Sequence, residues 1–359
     1  MALMTRTLFH AAPFWMSLTV PVLVWIGAIW GGVWVLAALI WVWYVFIFID
    51  LMIGAETANS DPETPVGDIF WHRAITLIWP PAQAVTLFGV LWYTTRASHL
   101  GTFELIGLFA SVGIMSGAIG IVYAHELMHQ PSRLERWLGD LQMTMVLYGH
   151  YRSEHLLVHH VHVATPRDTV SARYGEGFHR FFWRVLPGSF RSAIEAEAAK
   201  LARKNLSPWH KSNPFWRYAG LQVMWLALAV LIGGWPGVLL FAFQALVAIF
   251  QLELINYIEH YGLTRQKLPN GKYEPVRPHH SWDVSRWASN RLLINVQRHS
   301  DHHAKPSRRF PLLQAGTAET GPLLPYGYQT MTLIALVPPL WRRIMHPRIK
   351  DWRARFYPT

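Results

Sequence analysis

The stretch FWMSLTVPVLVWIGAIWGGVWVLAALIWVWYVFIFI, residues 14–49, contains 36 consecutive residues without a charged side chain. A helix that spans a bilayer needs about 20 apolar residues, so this stretch is long enough for two. Gly31 and Gly32 near its centre favour a tight turn, because glycine adopts backbone conformations that other residues avoid. The stretch therefore predicts a hairpin of two membrane helices.

The rest of the chain has the composition of a membrane protein. Of its 359 residues, 52% are hydrophobic and 15% are charged, whereas soluble domains carry roughly a quarter charged residues. Four further apolar segments predict four more spans. We expect an all-α integral membrane protein with a single catalytic domain, residues 1–359, with six transmembrane helices near residues 14–30, 33–52, 74–95, 103–124, 218–233 and 237–257 and cytosolic segments near 125–217 and 258–359.

The distribution of basic residues predicts the orientation of these spans. Of 32 lysines and arginines, 29 lie in residues 130–217 or after His260, and the three hairpin tips together carry only Arg96. Because lysine and arginine accumulate on the cytoplasmic side, we expect both termini and both long polar segments in the cytosol. The net charge of +11 then reflects orientation and attraction to anionic lipid, and no nucleic-acid partner is expected.

Four histidine-rich motifs fall at the predicted cytoplasmic ends of spans or in the cytosolic segments. They are His125-Glu-Leu-Met-His129, Glu154-His-Leu-Leu-Val-His-His160, Asn256-Tyr-Ile-Glu-His-Tyr-Gly262 and His299-Ser-Asp-His-His303. Neutral imidazole is the commonest metal ligand in proteins, and nine imidazoles exceed the needs of one ion but fit two ions with open positions. The motifs predict a two-metal site at the inner membrane surface, with the ligands His125, His129, His155, His159, His160, His260, His299, His302 and His303.

Helical spacing predicts which imidazoles share an ion. His125 and His129 are four residues apart, which separates them by about 40° around a helix axis. His155 and His159 repeat this spacing, so each pair is expected to bind one ion. His160 is rotated by about 140° from His155 and is expected to point at the second ion.

Carboxylates within and near the motifs are candidate hydrogen-bond partners of the ligands. A metal-bound histidine commonly donates its other N–H to a carboxylate. We expect this supporting role, rather than a bridge between the ions, for Glu126, Glu154, Glu259, Asp301 and Asp168.

Two other functions share parts of this pattern. His-Glu-x-x-His alone is typical of zinc proteases, with Glu126 as the general base, but that function leaves seven clustered histidines unused. A metal transporter places polar ligands near the bilayer midplane, whereas these motifs gather at the cytoplasmic edge. The chain also contains no cysteine, so it lacks thiolate ligands for an iron–sulfur centre, and a redox reaction would take its electrons from another protein.

At the level of whole motifs, the chain resembles the integral-membrane alkane 1-monooxygenases, which belong to the histidine-box hydroxylases and desaturases. Residues 256–263 and 297–304 carry the most specific part of a similarity that runs from about Asp50 to Pro311. The resemblance implies a six-helix fold with a histidine-rich cytosolic cap, two iron ions held by the nine histidines, and O2 as co-substrate. It also implies terminal hydroxylation of medium-chain n-alkanes taken from the bilayer to primary alcohols. The implied electron donor is rubredoxin with its reductase, and the implied location is the bacterial inner membrane.

The second motif departs from the family pattern. Leu156-Leu157-Val158 stands where a polar residue and a glycine are usual. Hydroxylation of methyl groups on aromatic rings and desaturation of fatty-acyl chains therefore stay open as alternatives.

Two further sets of residues are candidates for the substrate and the electron donor. Trp41 and Trp43 are large, rigid side chains on the second span. Either is expected to close a hydrocarbon tunnel enclosed by spans one to four. Arg308 and Arg309 follow the last motif and are candidates for docking an acidic donor by charge.

Overall fold

The computed structural model describes residues 8–358, which form helices joined by turns and loops. Their β-pairing is limited to three isolated bridges, which confirms the expected all-α class. The principal helices are α1 (Leu8–Trp30), α2 (Gly32–Ile53), α3 (Val66–Thr94), α4 (Thr102–Met128), α5 (Arg133–Met145), α6 (151–162), α7 (Phe178–Ala202), α8 (Phe215–His260), α9 (Trp287–Leu292), α10 (His299–Ala304), α11 (Tyr328–Ala335) and α12 (Pro338–Phe356).

Five of these helices, α1, α2, α3, α4 and α8, are long and apolar enough to cross a membrane. The longest, α8, has 46 residues and includes both segments that were expected as separate fifth and sixth spans. Its helical geometry breaks at Gly234, where φ is 59° and ψ is −149°. A Cβ atom on Gly237 would lie 2.6 Å from the carbonyl oxygen of Ala229, so the two halves of α8 fold back on each other.

The three hairpin tips meet at one end of the helix bundle. Arg96, after α3, donates to the carbonyl of Ile232 in α8 over 3.5 Å. Glu104, in the first turn of α4, accepts the backbone N–H groups of Gly32 and Gly101. Because α4 has 27 residues, this end lies about 40 Å from the histidines at the other end of α4.

Close packing of α4 against α8 aligns the histidines that each helix carries. A Cβ atom on Gly113 would lie 2.6 Å from Val247, and one on Gly117 would lie 2.7 Å from Ala248. Glycine thus permits a close backbone approach, as is common between membrane helices. This contact brings the last turns of α4 and α8, with their histidines, to the same level.

The polar segments fold over that end of the bundle. Asp140 of α5 forms ion pairs of 2.8 Å with Arg152 of α6 and with Arg217 at the start of α8, which ties three elements together. On another side, the fully buried Trp341 of α12 packs against Tyr257 and Tyr261. The segments therefore form a compact cover around the histidine motifs.

Candidate metal centre

The structure brings all nine histidines together from four separate parts of the chain. They come from the end of α4, from α6, from the last residue of α8 and from α10. Within each of two groups, the candidate ligand atoms all lie within 4.8 Å of one another. The five-histidine group contains His125, His129, His155, His160 and His302, and the four-histidine group contains His159, His260, His299 and His303.

The distances between ring nitrogens fit a shared ion in each group. His155 Nε2 lies 3.0 Å from the Nε2 atoms of His125, His129 and His160. In the other group, His299 Nε2 lies 3.0 Å from the Nε2 atoms of His260 and His303. Two nitrogens that each lie about 2.1 Å from one ion, at a right angle, are about 3.0 Å apart. The donor set and its spacing therefore fit one metal ion per group.

The expected pairing of His155 with His159 on one ion is wrong, and so is the separate placement of His160. Residues His155–His159 form a π-helical turn, in which the backbone N–H of His160 donates to the carbonyl of His155. Such an i→i+5 turn is wider than an α-helical turn, so it brings His160 onto the face of His155. The ring of His159 stacks on that of His155, with centroids 5.2 Å apart, but its ligand atom belongs to the four-histidine group.

Burial keeps the histidines that lie outside the membrane helices in the neutral form that binds metal. Desolvation lowers the pKa of His155 and His160 well below the usual value, and the neighbouring imidazoles add to the shift. The same two causes lower the pKa of His299, His302 and His303. Because only a deprotonated nitrogen can coordinate, these groups need no proton loss before they bind an ion at neutral pH.

Two of the five candidate carboxylates contact a histidine of the centre. Asp168 Oδ2 lies 3.0 Å from His159 Nδ1 and accepts the Ser171 hydroxyl over 2.7 Å. Burial acts to raise the pKa of Asp168, but His159 and these hydrogen bonds lower it below its usual value. Glu259 Oε2 instead lies 3.4 Å from His299 Nε2, the nitrogen that faces the group's centre. Glu259 is therefore a neighbour of His299, and it belongs to neither histidine group.

The other three candidate carboxylates have different surroundings. Glu126 accepts a hydrogen bond of 3.0 Å from Gln130, and Asp301 accepts one of 2.6 Å from Arg308. Both carboxylate oxygens of Glu154 are buried without a hydrogen-bond partner among the described residues. The protease interpretation uses His125 and His129 as a pair of ligands, but both lie in a group of five histidines.

Sequence analysis missed two residues that position the centre. Asp283 accepts the backbone N–H of Ser300 over 2.7 Å and so fixes the start of α10. Tyr328 donates to Glu259 Oε1 over 2.8 Å. Both are far in sequence from the groups that they hold, so motif spacing carries no signal for them.

A row of apolar cavities leads from the lipid-facing surface to the histidines. The outer cavity has a volume of ≈ 460 Å³ and lies between α2, α4, α8 and α11, not inside the first four spans as expected. Tyr44 and Leu246 at its mouth are about half exposed, at 55% and 51%. Two inner cavities of ≈ 20 Å³ follow, and Ile255 lines both of them.

The two candidate tryptophans differ in their position relative to this row. Trp43 lines the outer cavity and the first inner one. Trp41 lines none of these cavities and packs edge-on against Phe46, with ring centroids 5.7 Å apart. Of the two, Trp43 is therefore the one in contact with the space that a substrate would occupy.

The two candidate docking arginines are already paired inside the protein. Arg308 Nη1 lies 2.6 Å from Asp301 Oδ2, and Arg309 Nη1 lies 3.0 Å from Glu135 Oε1. Asp301 balances the charge of Arg308, whereas Arg309 shares Glu135 with Arg73, whose Nε lies 2.9 Å from the same carboxylate. The role of these arginines in docking stays a prediction.

Comparison with known proteins identifies relatives along most of the chain. The sequence model of the family described as fatty acid desaturase matches residues 101–335. Alkane 1-monooxygenase 2 of Pseudomonas aeruginosa is 36% identical over 325 residues, covering 88% of this chain and 85% of that protein. Alkane 1-monooxygenase 2 of Alcanivorax borkumensis is 35% identical, with coverage of 87% and 84%. The xylene/toluene monooxygenase hydroxylase component XylM of Pseudomonas putida is 26% identical, with coverage of 92% and 87%.

Proposed function

The chain belongs to the alkane 1-monooxygenase family, and from this premise we propose that it hydroxylates the terminal methyl group of medium-chain n-alkanes. The observation that carries this proposal is a two-group histidine centre at the inner end of an apolar cavity open to the lipid side. An alkane offers no polar group to bind, so a narrow apolar passage is the means of presenting one methyl group to the centre.

Each part of the centre has a task in this reaction. Two iron ions, the metal we propose, would supply the activation of O2 that breaking an unactivated C–H bond requires. The nine histidines would hold the ions, and Asp168 would orient His159 through its Nδ1 atom. Tyr328 would hold Glu259 beside His299. The cavity walls would align the methyl group with the centre and exclude bulk water.

Product analysis tests this function against its alternatives. The protein, reconstituted with iron, a reducing system and O2, is incubated with n-alkanes of graded length and, in separate reactions, with toluene, xylene and a fatty-acyl substrate. Primary alcohols from the n-alkanes support the proposal. Benzylic alcohols alone would favour aryl-methyl hydroxylation, which the similarity to XylM makes the second candidate. Alkenes from fatty-acyl substrates would identify a desaturase.

We further propose that α8 crosses the membrane twice, giving six spans with both termini and the metal centre in the cytoplasm of a bacterial cell. The reversal at Gly234 and the distribution of basic residues support this orientation. Cysteine at exposed Lys204 should stay unlabelled by an impermeant thiol reagent in intact cells, whereas cysteine at exposed Ser98 should react. The chain has no native cysteine to interfere, and labelling at Lys204 from outside would contradict the orientation.

The electron donor that we propose is rubredoxin with its reductase, approaching from the cytosol. The absence of cysteine supports an external donor, and the basic cytosolic segments suit an acidic partner. Arg308 and Arg309 would contribute to docking only if the donor competes with Asp301 and Glu135 for them.

The length of the accepted alkane should depend on Trp43. Replacing Trp43 with alanine removes a large side chain from the wall of the outer and first inner cavities, so longer n-alkanes should be accepted at the same metal content. Trp41→Ala is the matched control, because Trp41 lines none of these cavities. The measurement is the relative turnover of n-alkanes of increasing length. An unchanged length profile in Trp43→Ala would show that this wall does not limit the substrate.

A further inference from the structure

A hydrogen-bonded chain of buried side chains runs from the cytosolic cover toward the metal centre. His150 Nε2 lies 3.4 Å from Ser189 Oγ, and Ser189 Oγ lies 2.9 Å from the Tyr148 hydroxyl. Tyr148 donates to Glu253 Oε1 over 2.9 Å. Asn256 Nδ2 donates to the other oxygen of Glu253 over 3.1 Å. The four contacts connect the turn before α6 with α7 and α8.

The two ends of this hydrogen-bonded series, His150 and Asn256, have different surroundings. At the outer end, His150 is 8% exposed and packs edge-on against Phe190, which is about half exposed. At the inner end, Asn256 lines the innermost cavity, together with Glu259 and histidines from both groups. That cavity has a volume of ≈ 20 Å³, which is room for about one water molecule.

Among these hydrogen-bonded side chains, Glu253 is the one whose burial most needs an explanation. It is 1% exposed and sits in a membrane helix, where a carboxyl group is costly and is usually functional. Its hydrogen-bond partners are the neutral Tyr148 and Asn256, and within residues 8–358 it forms no ion pair with a lysine or arginine. It also belongs to neither histidine group. Neither charge pairing nor ligation therefore accounts for it.

We propose that His150, Ser189, Tyr148 and Glu253 form a path that delivers protons to the metal centre. This inference rests on the proposed function. That reaction is R–CH3 + O2 + 2 e⁻ + 2 H⁺ → R–CH2OH + H2O. One oxygen atom enters the broken C–H bond, and the other leaves as water with the two protons. The donor supplies the electrons, but the apolar substrate passage cannot conduct protons, so they need a separate polar route.

Each proton-carrying member can accept one proton and release another. The imidazole, the two hydroxyls and the carboxyl group all have both donor and acceptor capacity. A proton would pass from His150 to Ser189, then to Tyr148 and to Glu253 Oε1. The last transfer, from Glu253 to the centre, would pass beside Asn256, which donates to Glu253 and lines the innermost cavity with His125, His155 and His299. Asn256 acts as a positioning residue, because its amide orients the carboxyl group.

The first test needs neither metal nor turnover. Metal-free protein is transferred into D2O, and infrared spectroscopy follows the carboxyl C=O band that Glu253→Gln removes. In the wild type this band should shift rapidly, whereas Tyr148→Phe and Ser189→Ala should each slow the shift at least about tenfold. Tyr218→Phe is the matched control, since its buried hydroxyl lies 3.0 Å from Ser153 and outside the path.

The second test uses the iron-loaded enzyme. Tyr148→Phe and Ser189→Ala should lower kcat at least about tenfold, as expected when a proton transfer is impaired, and should increase the solvent deuterium isotope effect. The KM for the alkane and the iron content should match those of Tyr218→Phe.

The two tests separate this path from the proposed function. A wild type that forms no alcohol contradicts the function, while the exchange experiment still measures the path. Equal exchange rates in all variants, or the absence of any carboxyl band sensitive to Glu253→Gln, would overturn the path.

Discussion

The double variant His155→Ala/His159→Ala is expected to lose both metal ions, whereas His155→Ala/His160→Ala should lose only about one. The reason is the π-helical turn, which places His155 and His160 in the five-histidine group and His159 in the four-histidine group. The first double variant damages both groups, but the second damages only one. Regular α-helical spacing would give the reverse result.

The measurement is the molar ratio of iron to purified protein, with turnover determined on the same samples. The single variants His159→Ala and His160→Ala serve as controls, and each should retain about one ion. Turnover should fall at least about 100-fold in every variant, because even outer partners of a ligand can contribute 10- to 100-fold. If His155→Ala/His160→Ala also binds no metal, the two groups are not independent sites.

The membrane character of the fold could be predicted because it depends on local composition. Residues 14–49 are apolar over a length that fits two membrane spans. Within the bilayer their backbone N–H and C=O groups must hydrogen-bond to one another, which favours helices. The reversal at Gly234 follows from a local signal as well, because glycine and proline flank the break. Helix α3 begins at Val66 rather than near residue 74, so its first two turns extend beyond the predicted span.

The division of the histidines into two groups could not be predicted from spacing. Regular α-helical geometry assigns His159 to the ion of His155. The π-helical turn contains one more residue than an α-helical turn, and it assigns His160 to that ion instead. The π-helical hydrogen bond that causes it is a property of the folded backbone. Residues 155–160 contain no glycine or proline that would mark the position.

Long-range packing decides the remaining features of the site. The outer cavity is bordered by α11, which follows α2 by almost 300 residues, so no local pattern indicates that wall. Tyr148 and Glu253 are 105 residues apart. Glu253 nevertheless carries a usable signal, because it is an acidic residue within an apolar span.

The passage between the outer cavity and the centre follows one face of α8. Gln251, Ile255 and Glu259 are spaced by four residues, which places them on the same face with a rise of about 6 Å per step. Gln251 lines the outer cavity, Ile255 lines both inner cavities, and Glu259 lines the innermost one. Ile255 therefore stands at the narrowest part of the proposed substrate route.

Replacing Ile255 with phenylalanine should lower n-alkane hydroxylation about 100-fold at unchanged iron content. The larger ring would fill the inner cavities and hold the methyl group away from the centre, and a misplacement of about 1 Å can cost 10²-fold in rate. Ile255 is not in either histidine group, so metal binding should persist despite a packing cost of about 1–3 kcal/mol. Turnover, iron content and unfolding temperature are measured together.

Leu246→Phe is the matched control for this substitution. Leu246 lies on the same helix, is 51% exposed and lines only the outer cavity, so its replacement should leave the turnover of short n-alkanes close to that of the wild type. Ile255→Ala should widen the passage and keep turnover measurable. If Ile255→Phe hydroxylates n-alkanes as fast as Leu246→Phe, the substrate reaches the centre by another route, because a blocked passage along α8 cannot carry it.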